Sequence, residues 1–544
     1  MARNKLDWSV ALLTAVAVCC AAQAGVMPDR VAQAAGDRVA AGEFPALVIA
    51  TVRDGKFEIA GFRASADGKL PTGDTVFEIG SVTKTFTGLL LAEAVQSGQV
   101  SLDDPLAKLL ADFTLPTRGG KQITLGDLAD QHSGLPRLPA NMQPADPADP
   151  YADYDSVSLR MFLGTYKLPR DPGAEYEYSN LGEGILGYAL AATARTTYGD
   201  VLRQRVLAPL GMNDTGVALT DAMRAHLAPG HDADGKPVKN WNFDVLAGAG
   251  AIKSTANDML RYLRANMGLD QTALLPAMRL AQTPRADMDA VDRVGLAWIT
   301  RATPQGRIVW HNGMTAGYAS FLGFTADGSR GVVVLANEAA SVDDLGFAAL
   351  DDAAPLAPAR KTIAMSRDAL GAYQGVFRLS DKMDLQVLLL ADRLYIQATG
   401  QGPVPVYPSA PNEFFAKVAD IAITFTRDAK GGVDGLVLHQ GGDHRAPRVP
   451  DAPVATLDAG TLASYVGTYR FAPTAIFDIA LKDGQLMAQL TGQPSLPVFP
   501  RAKDKFFYKV VDAQIDFERG PDGTVVALVL HQNGRDLRAP KVAP

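Results

Sequence analysis

The sequence predicts an α/β domain followed by two small all-β barrels. Length is the first reason: 544 residues exceed what one hydrophobic core organises, so several domains are expected. The second is a mixture of β-like runs and helical periodicity confined to residues 25–356. The third is a repeat. An offset of 92 residues pairs Tyr373 with Tyr465, Gly375 with Gly467, Leu394 with Leu486, Gln397 with Gln489 and Gly400 with Gly492, with no gap. It also pairs Phe414 with Phe506, Phe425 with Phe517, and Leu438-His439-Gln440 with Leu530-His531-Gln532. Such self-similarity marks a duplicated module. Each copy alternates short β-like runs with turns such as Asp483-Gly484 and Asp522-Gly523, the pattern of a small barrel.

The chain opens with Arg3 and Lys5, an apolar run from Val10 to Ala22, and the small-x-small triplet Ala22-Gln23-Ala24. That is the layout of a cleavable signal peptide over residues 1–24, which implies a secreted, periplasmic protein. Val18 stands where a lipid-anchor signal before Cys19 carries a small residue, so cleavage without an anchor is expected. Removing this segment takes both cysteines with it, which leaves no disulfide and no thiolate metal site. It also takes Arg3, Lys5 and Asp7, moving the formal charge from −7 to −8. That balance gives no support for a nucleic-acid partner. No other stretch is long and apolar enough to span a membrane, and the histidines form no spaced cluster, so neither a metal nor a cofactor is expected.

In chain order, a helix is expected over 28–41, then strands over 46–52 and 57–62 joined by an Asp54-Gly55 hairpin turn. Val82, Phe86, Leu89, Leu90 and Val95 give an amphipathic helix from about Ser81 to Ser97, stopped by Gly98. A short element follows at 124–129. Residues 135–155, with Pro144, Pro147 and Pro150, resist regular structure. An apolar stretch runs from Leu181 to Ala192, and a strand–turn–strand pattern covers 308–324. A closing helix is expected at 341–352, with a linker after it. The barrels are expected at 366–446 and 457–544, with a second linker over Arg445–Thr456.

Chemistry is concentrated in three places. Ser81 and Lys84 share one helix face at the positive helix N-terminus, an S-x-x-K arrangement in which the amine can take the hydroxyl proton. Tyr178-Ser179-Asn180 and His311-Asn312-Gly313 follow in order. A serine and lysine three apart arise often by chance. The ordered set, with Asp171-Pro172-Gly173 and His132-Ser133-Gly134-Leu135-Pro136 around it, resembles the serine β-lactamase and penicillin-binding protein superfamily. The branch it resembles is the class C-like one, over roughly residues 30 to 352.

The resemblance implies the site. Ser81 would be the nucleophile, with Lys84 and Tyr178 relaying its proton. Asn180 would meet the substrate carbonyl, and the Ser81 and Met314 amides would form the oxyanion hole. Gly313 would let the strand backbone approach the substrate, and His311 would stand where K-T-G members carry lysine. Lys84 and His311 would supply a cationic field to Tyr178, His311 being partly charged at pH 7. The 135–155 segment would hang near the site mouth. The barrels resemble the lipocalin-like C-terminal domains of D-aminopeptidase-type hydrolases.

Together these imply a secreted serine hydrolase acting through an acyl-enzyme on ester or amide bonds. Its partners would be small molecules or short peptides: D-amino acid peptides, peptidoglycan stems, β-lactams or esters. The alternative is a catalytically weak protein that binds penicillin or cell-wall fragments.

Overall fold

The computed structural model describes residues 25–544 apart from 65–68, 382, 391, 400, 451–452, 473–474, 492–494, 509–512, 533–534 and 543–544. The expected signal peptide, with Cys19 and Cys20, lies outside the described residues. The chain divides into two compact units between Lys361 and Thr362.

The first unit is built on an eight-stranded antiparallel sheet. Its order across the sheet is Lys56–Arg63, Ala46–Arg53, Arg330–Ala336, Ala319–Thr325, Gly306–Met314, Ile299–Thr303, Asp292–Val294 and Ala286–Asp287. The Asp54-Gly55 turn has φ of 50° and 79°, the left-handed pair that matches hairpin twist. Side chains alternate between two buried faces. Leu47, Ile49, Val332 and Val334 pack with helices Asp29–Ala41 and Asp343–Leu350 on one side. Val48, Ala50, Val333 and Leu335 face the larger helical core on the other. Both faces being covered explains why the strands read as near-continuous apolar runs.

The helix expected from Ser81 to Ser97 forms over Thr83–Gln96, after a 3₁₀ turn at Gly80–Val82 that carries Ser81. It is not amphipathic. Residues from Thr83 to Ala92 are all buried, with Phe86 stacked on Tyr262 at 3.9 Å between ring centroids. A helix apolar on every side belongs at the centre of a domain, and this one threads the core beside the sheet.

The second unit holds the two repeats, each an eight-stranded antiparallel meander. Strands Gly375–Ser380 to Asp443–Pro447 form the first, and Gly467–Ala472 to Arg535–Pro540 the second. Each nearly closes on itself: Val449 N–H donates to Val376 O at 2.8 Å, and Val542 N–H to Thr468 O at 2.7 Å. The first barrel therefore reaches Val449, and part of the linker expected at Arg445–Thr456 is its last strand. Proline at 447 sits at the end of that strand, where no ladder donor is needed.

The paired aromatics fill both interiors: Tyr373, Phe414 and Phe425 in one, Tyr465, Phe506 and Phe517 in the other. Each tyrosine belongs to a latch. In the first, Tyr373 OH donates to Asn412 Oδ1 at 3.1 Å and Arg427 Nε to the same oxygen at 2.7 Å. In the second, Tyr465 OH and Arg519 Nε donate to Asp504 Oδ1 at 2.9 and 2.8 Å.

Candidate active site

Ser81 sits where backbone meets backbone. Gly80, at φ 49°, lies so close to strand Gly306–Met314 that a Cβ there would come within 2.6 Å of Met314 N. A Cβ on Gly313 would lie 2.1 Å from Ile79 O and 2.8 Å from Ser81 N. Ser320 Oγ adds a bond to Ile79 O at 2.8 Å. Two glycines thus allow the nucleophile turn and the strand to interlock, with the Ser81 and Met314 amides brought together. Gly313, expected to let the strand backbone approach the substrate, also lets it approach the turn carrying Ser81.

Lys84 is fully buried, and its Nζ contacts three oxygens: Ser81 Oγ at 3.0 Å, Asn180 Oδ1 at 2.9 Å and Ala249 O at 2.7 Å. As an ammonium it would donate to all three. As a neutral amine it would donate to Asn180 and Ala249 and accept the serine hydroxyl proton. The geometry serves both states, so a proton can cross between Ser81 and Lys84 without rearranging the other contacts. Asn180 commits its oxygen to Lys84, which leaves its NH₂ as the donating end, with Tyr151 OH 3.5 Å away.

Tyr178 lies alongside, with Lys84 Nζ 4.8 Å from its ring centroid. Ser179 caps helix Asn180–Thr193, accepting from Gly182 N at 2.9 Å and donating to Pro136 O at 2.6 Å. The 131–137 segment holds this stretch throughout. Gln131 O accepts from Glu177 N at 2.8 Å, Gln131 Oε1 from Ser179 N at 2.6 Å, and Arg137 O from Leu181 N at 3.2 Å. Gln131 Nε2 donates on to Glu183 Oε2 at 2.9 Å. Glu183 is completely buried, and that burial pushes its carboxyl well above the usual range, against the pull of the Lys84 charge.

His311 is buried on the strand beside this group. Burial first, and the Lys84 charge second, lower its pKa to about 3. Its Nδ1 donates to Asn312 O at 2.5 Å, leaving Nε2 as the acceptor. The partial charge at pH 7 expected from the sequence is therefore absent, and so is its share of a cationic field. Lys84 supplies such a field, and a basic side chain that the motifs did not name, Arg137, rests over the Tyr178 ring with its guanidinium carbon 5.1 Å from the centroid.

The 135–155 segment does lie beside the site. Tyr151 OH is 3.5 Å from Asn180 Nδ2, and its ring stacks on Phe243 at 4.4 Å and leans on Trp241 at 5.2 Å. A buried pair across two short strands, Glu78 and Lys253, grips the Trp241 peptide from both ends. Glu78 Oε1 accepts from Trp241 N at 2.9 Å, and Lys253 Nζ donates to Trp241 O at 2.7 Å. Gln131, Arg137, Glu183 and this aromatic wall were missed from sequence. Position 137 directly follows a quoted motif, which was the one available signal.

The beta-lactamase family model matches residues 31–354, and a domain of unknown function (DUF3471) matches residues 359–447 and 451–540. A beta-lactamase of Escherichia coli (strain K12) is 27% identical over 331 residues, covering 54% of this chain and 85% of the relative. The D-alanyl-D-alanine-carboxypeptidase/endopeptidase AmpH of the same organism is 28% identical over 308 residues, covering 53% and 78%. Among solved structures, the D-alanine carboxypeptidase AmpC from Burkholderia cenocepacia is 26% identical, with a TM-score of 0.50 over 59% of this chain and 97% of its own. A class C beta-lactamase at 22% identity shares the fold, with a TM-score of 0.52 over 58% of this chain and 95% of its own. The chain belongs to the beta-lactamase family, and its catalytic unit shares the fold of class C beta-lactamases.

Proposed function

We propose that this protein is a secreted hydrolase that cleaves ester or amide bonds of small substrates through an acyl-enzyme on Ser81. The contact of Ser81 Oγ with the buried Lys84 Nζ at 3.0 Å carries the proposal, because both partners are held for proton exchange before any substrate arrives. In the forward step Lys84 takes the Ser81 proton as Oγ bonds to the substrate carbonyl carbon. The carbonyl oxygen, now negative, is held between the Ser81 and Met314 amides, donors of a kind that often supply the largest catalytic term. Tyr178 gives a proton to the departing nitrogen or oxygen and is resupplied from Lys84. Water then attacks the acyl-enzyme along the reverse proton path, freeing Ser81.

The substrate class is D-amino acid peptides, peptidoglycan stem peptides or simple esters. The relatives named for D-alanyl peptides support the peptide part. The uncharged His311 supports poor turnover of β-lactams, whose carboxylate gains no fixed charge at that position. The test is labelling with a fluorophosphonate, followed by assays with D-aminoacyl amides, p-nitrophenyl esters and nitrocefin. Wild type should label once, and Ser81→Ala should neither label nor turn over. Full labelling of that variant would place the nucleophile elsewhere, and a wild type that never labels would leave a binding protein.

A further inference from the structure

Arg137 is the basic side chain at this site with no assigned work. Its carbonyl is bonded to Leu181 N, so its backbone is fixed at the start of the helix that carries Asn180. Its guanidinium carbon stands 5.1 Å from the Tyr178 ring centroid, and Lys84 Nζ stands 4.8 Å from the same point. The two cations are therefore at most 9.9 Å apart, the sum of those distances. Lys84 Nζ is 3.0 Å from Ser81 Oγ, so Arg137 lies at most 12.9 Å from the nucleophile, the sum of the three distances.

The neighbouring basic groups are committed. Arg118 and Lys121 pair with Asp171, Arg170 with Glu177, Lys239 with Asp146, and Arg285 with Asp130. Lys253 is buried against Trp241 O. Arg137 is exposed, and among the described residues it has neither a carboxylate partner nor a side-chain hydrogen bond. Its guanidinium rests over the tyrosine face, which orders it while leaving its N–H fork open. His311, on the strand, holds an imidazole whose Nδ1 donates to the Asn312 carbonyl.

We propose that Arg137 forms a carboxylate-binding subsite for the leaving group of the substrate. The side follows from Tyr178: the group that protonates the leaving atom is the group on which Arg137 rests. A leaving group bearing a carboxylate near its scissile atom, such as a C-terminal amino acid, would meet the open fork in the paired geometry that arginine favours. The proposal rests on the hydrolase reading of Ser81 and Tyr178. It also moves the source of substrate charge recognition from the strand that carries His311 to the loop after Ser133-Gly134-Leu135-Pro136.

The test uses two thioesters of N-acetyl-D-alanine that differ only in the leaving group, mercaptoacetate or its uncharged amide, mercaptoacetamide. In the full-length protein, Arg137→Gln should lower kcat/KM for the carboxylate substrate by about 10-fold or more and leave the amide within about twofold, with the loss in KM. Arg137→Lys should fall between, because charge without the fork recovers part of the contact. A parallel fall for both substrates would overturn the proposal and make Arg137 a support for Tyr178. No change in either would overturn it as well. Calorimetry of the same pair on Ser81→Ala, with and without Arg137→Gln, reads the affinity ratio without turnover. If wild type neither labels nor hydrolyses, the hydrolase reading falls, and the affinity ratio still decides for or against the subsite.

Discussion

Gln131 brackets Tyr178: one residue accepts from both flanking amides, Glu177 N on its carbonyl oxygen at 2.8 Å and Ser179 N on its side chain at 2.6 Å. The phenol is thereby held on a short stretch of backbone that cannot turn. Gln131→Ala should leave the Ser179 amide and the Glu183 carboxyl without partners. A cost of about 2–4 kcal/mol is expected, since each buried orphan is worth 1–3, together with a lower kcat. Denaturant melts and steady-state kinetics would show it, and a variant as stable and as active as the parent would contradict the bracket.

Gly80 and Gly313 are expected to be irreplaceable. Alanine at 313 would drive a methyl into Ile79 O, and alanine at 80 would press on Met314 N in a left-handed backbone. Each should abolish covalent labelling and lower the melting temperature. Gly36, in an open part of helix Asp29–Ala41, is the control. Gly36→Ala should be neutral or stabilise by up to about 1 kcal/mol, and equal damage at all three positions would refute the interlock.

Lys84→Ala and Tyr178→Phe should each slow acylation by on the order of 10²–10⁴. If one relay carries the proton through both, the double variant loses far less than the product of the single losses. Single-turnover acylation rates of the three variants decide it, and multiplicative losses would mean separate roles.

His311 gives a signed pH prediction. Its pKa is about 3 in the folded state and near the ordinary 6.5 of a histidine when exposed, so the unfolded chain binds the extra proton between those values. Its contribution to stability is complete above pH 6.5 and is lost as pH falls toward 3. His311→Gln should therefore flatten the acid loss of stability, measured by denaturant titration. The ring protons of His311 should show no NMR titration between pH 8 and 5; a midpoint near 6.5 would mean that the imidazole is not held neutral.

What could be read from sequence was what is encoded locally or by order. The Asp54-Gly55 hairpin, the helix at 29–41 and the 92-residue repeat are properties of neighbouring residues or of self-comparison. Ser81, Lys84, Tyr178 and His311 were recognisable because their motifs occur in order, and the structure brings all four together. Gln131 and Glu183 were not, since their significance arises from contacts across 48 and 52 residues. The charge of His311 and the all-round burial of Thr83–Gln96 depend on what packs around them, which periodicity does not report. Trp241 and Phe243 lay hidden in a polar loop whose register is set by Glu78 and Lys253.

The duplicated latch has a consequence for the two barrels as materials. At one left-handed backbone position the first copy carries Asn412 (φ 68°) and the second Asp504 (φ 64°), each gripped by tyrosine and arginine. An amide and a carboxylate make the same shape of contact, but only the carboxylate completes an ion pair, and dissolved ions weaken ion pairs at partly exposed sites. One substitution between twin modules thus predicts unequal sensitivities to brine, with the second expected to slacken where its sibling stays firm.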